Sequence, residues 1–282
     1  RAAKLAFPVG VPVLGINLGR LGFLTDLSPQ HVAIGLDAIL AGRFLAEDRF
    51  VLKCEIVRDG EAIASRSALN DVVIQRWNSS RLITLNTYVD GRFVHTQRSD
   101  GMIVSTPTGS TAYALSGGGP ILDPALQAVV LVPICPHTLT NRPLVIRNDS
   151  TVEIDLADDT PEDARVTADG NPMPNLAPGD RIRIARHAES VRLIHPAGLA
   201  QIRLRSVIHA CAVLPRLAVL DEPELDQRHT SVAGEKTSPA ALVVADPLDH
   251  DNFHQRSASN AVCPLPAPGT ALAPRGRKSG AS

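Results

Sequence analysis

Two stretches of alternating apolar and polar residues, each broken by an Asp-Gly pair, most constrain the fold of this chain. LKCEIVRDGEAIASRSALNDVVIQR (52–76) carries the pair at Asp59-Gly60, and RLITLNTYVDGRFVHTQRSDG (81–101) carries it at Asp90-Gly91. Alternation with a period of two predicts strands with one buried face. Because Asp-Gly suits the two-residue turn of a β-hairpin, we predict two antiparallel hairpins.

The alternation continues toward residue 200, at Val152–Leu156 and again in DRIRIAR (180–186). We therefore predict a β-rich, β-sandwich-like domain over residues 49–205. Beyond it, residues 206–282 carry scattered prolines among Ala, Ser, Thr and Gly. Proline at that density interrupts helices and strands alike, so we predict a disordered tail there.

An α/β pattern precedes the β-rich part. VPVLGIN (11–17) is a short apolar run that predicts a buried parallel strand. The following helix is predicted to begin with Ser28 as N-cap and Pro29 in its first turn, and to end at Gly42. We interpret residues 1–48 as the remainder of an incomplete, Rossmann-like α/β domain, so the fold class is α/β plus β.

Charge and apolar patterning argue against two classes of partner. The chain of 282 residues has 28 Lys and Arg against 29 Asp and Glu, which argues against a general nucleic-acid-binding protein. Its longest apolar run, 128–134, is too short to span a bilayer, so no membrane association is predicted. The four cysteines form no Cys-x-x-Cys pair, which favours reduced thiols and a cytoplasmic location.

The segment SDGMIVSTPTGSTAYALSGGGPI (99–121) has two interpretations. It predicts a strand, a turn and a short helix, with Thr108, Ser110 and Thr111 as candidate helix caps. Alternatively, the small residues and the helix N-terminus form a phosphate or nucleotide site. Spacing alone favours binding only slightly.

Two further polar pairs also have two interpretations. Asn70 and Asp71 are either an ordinary polar turn or an amide and a carboxylate that accept hydrogen bonds from a sugar diol. Arg98 and Asp100, which flank Ser99, are either a local ion pair or part of a site.

Several blocks of the sequence resemble those of bacterial NAD kinases, in the same order. The resemblance runs from Arg1 to about Gly198, after which the chain diverges. The four longest blocks are GVPVLGINLGRLGFLTDL (10–27), LNDVVI (69–74), QRSDGMIVSTPTGSTAYALSGGGPIL (97–122) and VPICPHTLTNRPLVI (132–146), and VTADGN (166–171) and LIHPAG (193–198) follow.

The resemblance implies a reaction, namely transfer of the γ-phosphoryl group of ATP to the 2'-hydroxyl of the adenosine ribose of NAD, which gives NADP. It implies Mg²⁺ or another divalent cation with ATP, and it leaves polyphosphate open as a donor. It also implies a homodimer or homotetramer in which a neighbouring subunit contributes to each site.

The resemblance also implies binding residues. Asn70 and Asp71 match the pair that holds ribose hydroxyls of NAD. Asp100 and Arg98 match residues near the nicotinamide end, and Arg81 matches a further NAD contact. The remaining matches are a polar contact at Asn171 and an adenosine-binding turn made of Thr111, Ala112, Tyr113, Ala114, Leu115 and Ser116.

One family feature is expected upstream of Arg1, the Gly-Gly-Asp-Gly-Thr loop that cradles phosphates and supplies the general-base Asp. The chain by itself is therefore expected to bind NAD weakly and to turn it over poorly, because phosphoryl transfer depends on positioning and charge. The alternative function is a non-catalytic NAD or NADP sensor. A lipid or sugar kinase is disfavoured because Asn70-Asp71 and the Thr-Gly-Ser-Thr-Ala-Tyr turn suit a dinucleotide.

Overall fold

A computed structural model describes residues 2–17, 24–25, 27–77, 81–137, 141–156 and 164–197. The predicted disordered tail at 206–282 lies outside the described residues. None of the described helices is long and apolar enough to cross a membrane.

Twelve strands form two six-stranded antiparallel sheets in the described residues, with the orders β2-β1-β12-β9-β4-β5 and β11-β10-β3-β6-β7-β8. The helices are short, and three single turns of 3-10 helix cover Phe7–Val9, Pro29–His31 and Gly109–Thr111. The elements are α1 (Ala2–Ala6), α2 (Val32–Leu40), β1 (Phe44–Arg58), β2 (Glu61–Ala68), β3 (Asp71–Arg76), β4 (Ile83–Val89), β5 (Arg92–Ser99), β6 (Gly101–Ser105), α3 (Tyr113–Ser116), β7 (Ala128–Ile134), β8 (Leu144–Arg147), β9 (Val152–Leu156), β10 (Ala164–Ala168), β11 (Asn171–Pro172) and β12 (Arg181–Pro196).

The two sheets pack face to face over one apolar core, which confirms the predicted β-sandwich. Inward-facing residues of the first sheet, such as Ile56 and Ile184, join those of the second, such as Ile74 and Met102, in a single buried cluster. The second sheet is also covered on its outer face, where Ala114 of α3 packs in a separate cluster. Strands β3, β6 and β7 are consequently buried on both faces, which fits their near-continuous apolar sequences.

Both predicted Asp-Gly hairpins are confirmed. Asp59 and Gly60 connect β1 to β2 with φ values of 52° and 85°. Asp90 and Gly91 connect β4 to β5 with φ values of 51° and 72°. Two successive positive φ values are the requirement of a type I′ turn, which suits the twist of the paired strands.

The chain crosses between the two sheets at two short connections. Residues 69–70 lead from β2 in the first sheet to β3 in the second, and Asp100 leads from β5 to β6. Both crossings therefore carry residues that the sequence singles out for a site, Asn70 at one and Asp100 at the other.

The N-terminal portion is attached to the sandwich through its longest strands. Val13 forms a parallel bridge with Leu193 of β12, and Ile16 forms one with Leu27. The strand predicted over 11–17 thus consists of isolated bridges. The predicted boundary between residues 48 and 49 falls inside β1, which pairs with β12 on both sides of it.

The predicted start and end of the helical segment are confirmed in position. Gly42 has a φ of 75°, and its N–H donates to the carbonyl oxygen of Ile39, as in a glycine C-cap. Ser28 occupies the N-cap position of the 3-10 turn Pro29–His31, which leads directly into α2. The Ser28 hydroxyl makes no capping hydrogen bond, because its Oγ lies 2.8 Å from His31 Nδ1.

We predict that Gly101→Ala lowers the free energy of unfolding by about 1–3 kcal/mol, the usual cost of overpacking. An added Cβ at Gly101 would collide with the carbonyl oxygen of Ile74 on the neighbouring strand β3. Urea denaturation measures the change, and Ser65→Ala on the exposed face of β2 is the control, expected within about 0.5 kcal/mol of the unmodified chain. Equal stabilities for the two variants would contradict the close approach of β3 and β6.

Candidate functional site

The centre of the candidate site is the Asn70-Asp71 turn, where the chain crosses into the second sheet. Asp71 is the first residue of β3 and is only 7% exposed. Its register partner on β6 is Ser105, the last residue of that strand. The turn before β3 and the loop after β6 therefore meet at the same end of these two strands.

Asp169 holds this turn through its carboxylate. Oδ1 accepts hydrogen bonds from the backbone N–H groups of Asn70 (2.8 Å) and Asp71 (3.2 Å), and Oδ2 accepts one from Leu69 (2.9 Å). The N–H of Asp169 in turn donates to the carbonyl oxygen of Asp71 at 2.9 Å. We call Asp169 with residues 69–71 the Asp169 clamp. It satisfies three consecutive backbone donors that leave one sheet before they pair in the other.

Lys4 of helix α1 completes the clamp. Its Nζ lies 3.2 Å from Asp169 Oδ2 and donates to the carbonyl oxygen of Ala168 at 3.1 Å. A residue of the N-terminal portion thus reaches the turn of the sandwich.

The loop after β6 is bonded to the other side of the turn. Thr106 donates from its N–H to the carbonyl oxygen of Asn70 (2.9 Å) and from its hydroxyl to that of Leu69 (2.6 Å). The same hydroxyl accepts from the N–H of Gly109 at 3.1 Å. An added Cβ at Gly109 would collide with the Asn70 carbonyl oxygen, so the loop needs glycine to approach this closely.

The predicted role of the loop hydroxyls as helix caps is wrong. Ser110 donates to the carbonyl oxygen of Pro107 at 2.7 Å and accepts from the N–H of Leu122 at 3.0 Å. Thr108 accepts from Arg49 Nη1 at 3.2 Å. These hydroxyls fasten the loop to itself and to β1, and α3 is only four residues long. The N-terminus of so short a helix does not support the predicted phosphate or nucleotide site. That prediction therefore depends on the backbone and the small side chains of the loop.

Burial and neighbouring charges shift the acid–base properties of the turn. Burial and, after it, repulsion from Asp169 raise the pKa of Asp71, Lys4 lowers it, and together they bring it to about 7. Burial also raises the pKa of Tyr113, to which Cys135, Asp71 and Asp100 contribute in that order. Tyr113 thus lies within electrostatic reach of both Asp71 and Asp100, which lie at opposite ends of the paired strands β3 and β6.

Asp100, at the second crossing, pairs with Arg76 at the end of β3. Arg76 donates from Nε to Oδ1 at 2.6 Å and from Nη2 to Oδ2 at 3.4 Å. Arg98 lies one residue from the end of β5 with an exposed side chain. The ion pair that holds Asp100 therefore comes from the neighbouring strand of its own sheet.

The other predicted residues lie around these crossings. Asn171 is exposed in the Asp169 hairpin, and its Nδ2 donates to the carbonyl oxygens of Ala168 (3.2 Å) and Asp169 (3.0 Å). Arg81 is exposed just before β4 in the first sheet. Thr111 and Ala112 are half-buried, Ala114 is buried against the second sheet, and Leu115 and Ser116 are exposed.

Sequence reasoning missed the roles of Asp169, Lys4, Thr106 and Arg76. One signal was available for Asp169, which is followed by Gly170 in a further Asp-Gly pair and has a φ of 45°. Its bonding partners, however, lie about 100 residues earlier in the chain. No local pattern points to such a contact.

Two family models match the chain. The model of the ATP-NAD kinase C-terminal domain matches residues 69–196, which include both crossings and the Asp169 clamp. The model of the ATP-NAD kinase N-terminal domain matches residues 1–44.

Solved structures of two related enzymes share the fold. Yeast NADH kinase complexed with NADH aligns with a TM-score of 0.66 and 30% identity, over 74% of this chain and 61% of that one. An NAD kinase from Archaeoglobus fulgidus in complex with ATP aligns with a TM-score of 0.58 and 28% identity, over 70% of this chain and 72% of that one.

Curated relatives are closer in sequence. The NAD kinase of Thiobacillus denitrificans is 50% identical over 187 residues, which are 66% of this chain and 64% of the relative. That of Methylococcus capsulatus is 50% identical over 195 residues, 69% of this chain and 67% of the relative. The chain thus spans about two thirds of the length of these relatives. Such identity over that span, together with the shared fold, shows that the chain belongs to the NAD kinase family.

Proposed function

We propose that this chain is part of an NAD kinase that transfers the γ-phosphoryl group of ATP to the 2'-hydroxyl of the adenosine ribose of NAD. The observation that carries the proposal is the Asn70-Asp71 turn, held rigidly by the Asp169 clamp beside the loop of residues 106–116. Family membership supports the reaction, and the turn supplies groups suited to one of its substrates.

The turn offers hydrogen-bonding groups that match a ribose diol. Once ionised, the Asp71 carboxylate accepts from two hydroxyls, and the Asn70 amide both donates and accepts. Because the clamp binds the backbone of both residues, the positions from which their side chains project are fixed before a ligand arrives. Preorganisation of this kind favours binding, since little conformational entropy is lost when the ligand is held.

The loop supplies the matching surface for an adenosine. Residues 111–116 place the half-buried ring of Tyr113 within electrostatic reach of Asp71, and an aromatic face suits a planar base. Asp100 is held by Arg76, which leaves Arg98 exposed on the adjacent strand. We propose Arg98, Asp100, Arg81 and Asn171 as further contacts of the dinucleotide.

The donor side of the reaction is proposed from the family. The ATP complex of the Archaeoglobus fulgidus relative supports ATP as donor. In the described ranges, no group of three or more His, Cys, Asp or Glu side chains could hold a metal ion. We propose, from the family resemblance, that a divalent cation arrives with the triphosphate. We further propose a cytoplasmic homodimer or homotetramer, which the family resemblance implies.

The activity is tested by measuring NADP formation from NAD, ATP and Mg²⁺ with the gene product at its natural length. We expect NADP to accumulate in proportion to the enzyme and to require ATP. Tight binding of NAD without any NADP would overturn the kinase and support the sensor instead. Absence of NAD binding would overturn both.

We predict that Asp71→Asn weakens NAD binding by about 10–100-fold, because charged hydrogen bonds contribute about 1.5–3 kcal/mol. Isothermal titration calorimetry at pH 8 measures the loss. Asp149→Asn, which changes an exposed carboxylate between β8 and β9, is the matched control and is expected to bind NAD normally.

We also predict that Asp71→Asn stabilises the fold at pH 8. Because the pKa of Asp71 is raised to about 7 in the folded chain, the folded state holds a proton that the unfolded state has released. The Asp71 contribution to stability therefore falls as pH rises from about 4 to about 7 and stays low above that. Thermal unfolding of both forms at pH 5 and pH 8 measures this. A gain no larger at pH 8 than at pH 5 would contradict the assignment.

A further inference from the structure

Helix α1 contributes a single cation to the turn, and the position of that cation is fixed by packing. Ala6 and Phe7, at and just after the end of α1, are buried with Val191 and Leu193 of β12. The Phe7 ring also meets the His187 ring edge to face, with 5.1 Å between centroids. Lys4 is therefore carried to Asp169 by a segment anchored on the sandwich, and its side chain is 26% exposed.

We propose that Lys4 and Asp169 act as a positioning pair for a ribose diol, in which Asp169 fixes the backbone of residues 69–71 and Lys4 holds Asp169 and balances its charge beside Asp71. The inference rests on the proposed function, since it concerns how the same turn binds a dinucleotide. It assigns to the N-terminal portion a role in the affinity of the sandwich for its ligand.

The charges around Asp71 come from three elements. Asp169 faces it from the β10–β11 hairpin, Lys4 from α1, and the Tyr113 hydroxyl from α3. Cys135 and Asp100 interact electrostatically with Tyr113 in turn. Asp100 is paired with Arg76 and so is largely neutralised. Lys4 is thus the cation that opposes the Asp169 charge at Asp71.

Loss of the Lys4 charge and loss of the Asp169 charge are expected to shift the pKa of Asp71 in opposite directions. Removal of the Lys4 charge leaves the repulsion from Asp169 unopposed, so Asp71 takes up a proton at higher pH. Removal of the Asp169 charge takes away the repulsion, so Asp71 ionises at lower pH. A purely structural role gives no such opposition, because both changes would only loosen the turn.

The test is the affinity for NAD as a function of pH, measured by calorimetry between pH 5.5 and pH 9 on the full chain. We expect affinity to be highest when Asp71 is ionised and to fall below a midpoint near the pKa of Asp71. Lys4→Met should raise that midpoint by about one pH unit, and Asp169→Asn should lower it, as expected for a neighbouring unit charge. Lys4→Arg keeps the charge and should leave the midpoint in place.

The matched control is Lys53→Met, which removes a lysine paired with Glu55 on β1, away from the turn. We expect it to leave both affinity and midpoint unchanged. A uniform loss of affinity in Lys4→Met at every pH, with no shift of the midpoint, would overturn the positioning role and leave Lys4 as a structural residue. Melting temperatures of all variants show which of them remain folded at each pH.

A second readout separates this inference from the proposed function. The carboxyl carbon of Asp71 is titrated by NMR without any ligand, in the unmodified chain and in Lys4→Met and Lys4→Arg. A rise of the titration midpoint in Lys4→Met alone supports the pair even if NAD fails to bind, in which case only the proposed function fails. An unchanged midpoint overturns the pair even if NADP is formed.

Discussion

The site depends on one carboxylate, that of Asp169, and on the three consecutive backbone N–H groups that it binds. At residues 69–71 the chain leaves the first sheet and enters the second, so these donors have lost one set of strand partners before they gain the other. Buried donors without partners are costly, and one carboxylate in a left-handed turn satisfies all three. The clamp thereby makes a sharp crossing between sheets compatible with a buried turn.

The two crossings place the candidate residues at opposite ends of the paired strands β3 and β6, because Asp71 lies opposite Ser105 at one end and Gly101 lies opposite Gln75 at the other. Asn70 and Asp71 lie at the first, Asp100 lies at the second, and both crossings lead into the central strands β3 and β6 of the second sheet. Each is secured by a residue distant in sequence, Asp169 in one case and Arg76 in the other. Tyr113 lies on the outer face of the same sheet, and the carboxylates of Asp71 and Asp100 both raise its pKa. A rigid scaffold with polar groups at its connections is a common origin of binding sites.

Burial of Asp71 has a cost for the fold and a use for binding. A carboxyl group with a pKa raised to about 7 destabilises the folded chain at neutral pH, since its ionised form is poorly solvated. In the proposed function, the same poor solvation would strengthen its hydrogen bonds to a ligand that replaces water. Conflict between stability and local function is expected at binding sites, and in the proposed site it would fall on Asp71.

Much of the sandwich could be predicted from the sequence because its hairpin turns and strand alternation depend on neighbouring residues. The Asp59-Gly60 and Asp90-Gly91 turns follow from the need for positive φ, and alternation identified the strands around them. Ser28, Thr108, Ser110 and Thr111 show the limit, since a hydroxyl that can cap a helix can equally bond a loop or a distant side chain. The clamp was beyond local reasoning because Lys4, Asn70 and Asp169 meet only after the sheets pack. The roles of Arg81, Arg98 and Asn171 rest on the family resemblance and stay predictions.

The most direct test of the proposed binding site is a crystal structure of the chain with NAD bound. We predict ribose hydroxyls within about 3 Å of the Asp71 carboxylate, the usual hydrogen-bond distance, with the Asp169 clamp intact and Tyr113 beside the adenosine. A dinucleotide bound away from the Asn70-Asp71 turn, or a turn that is released from Asp169 on binding, would contradict it.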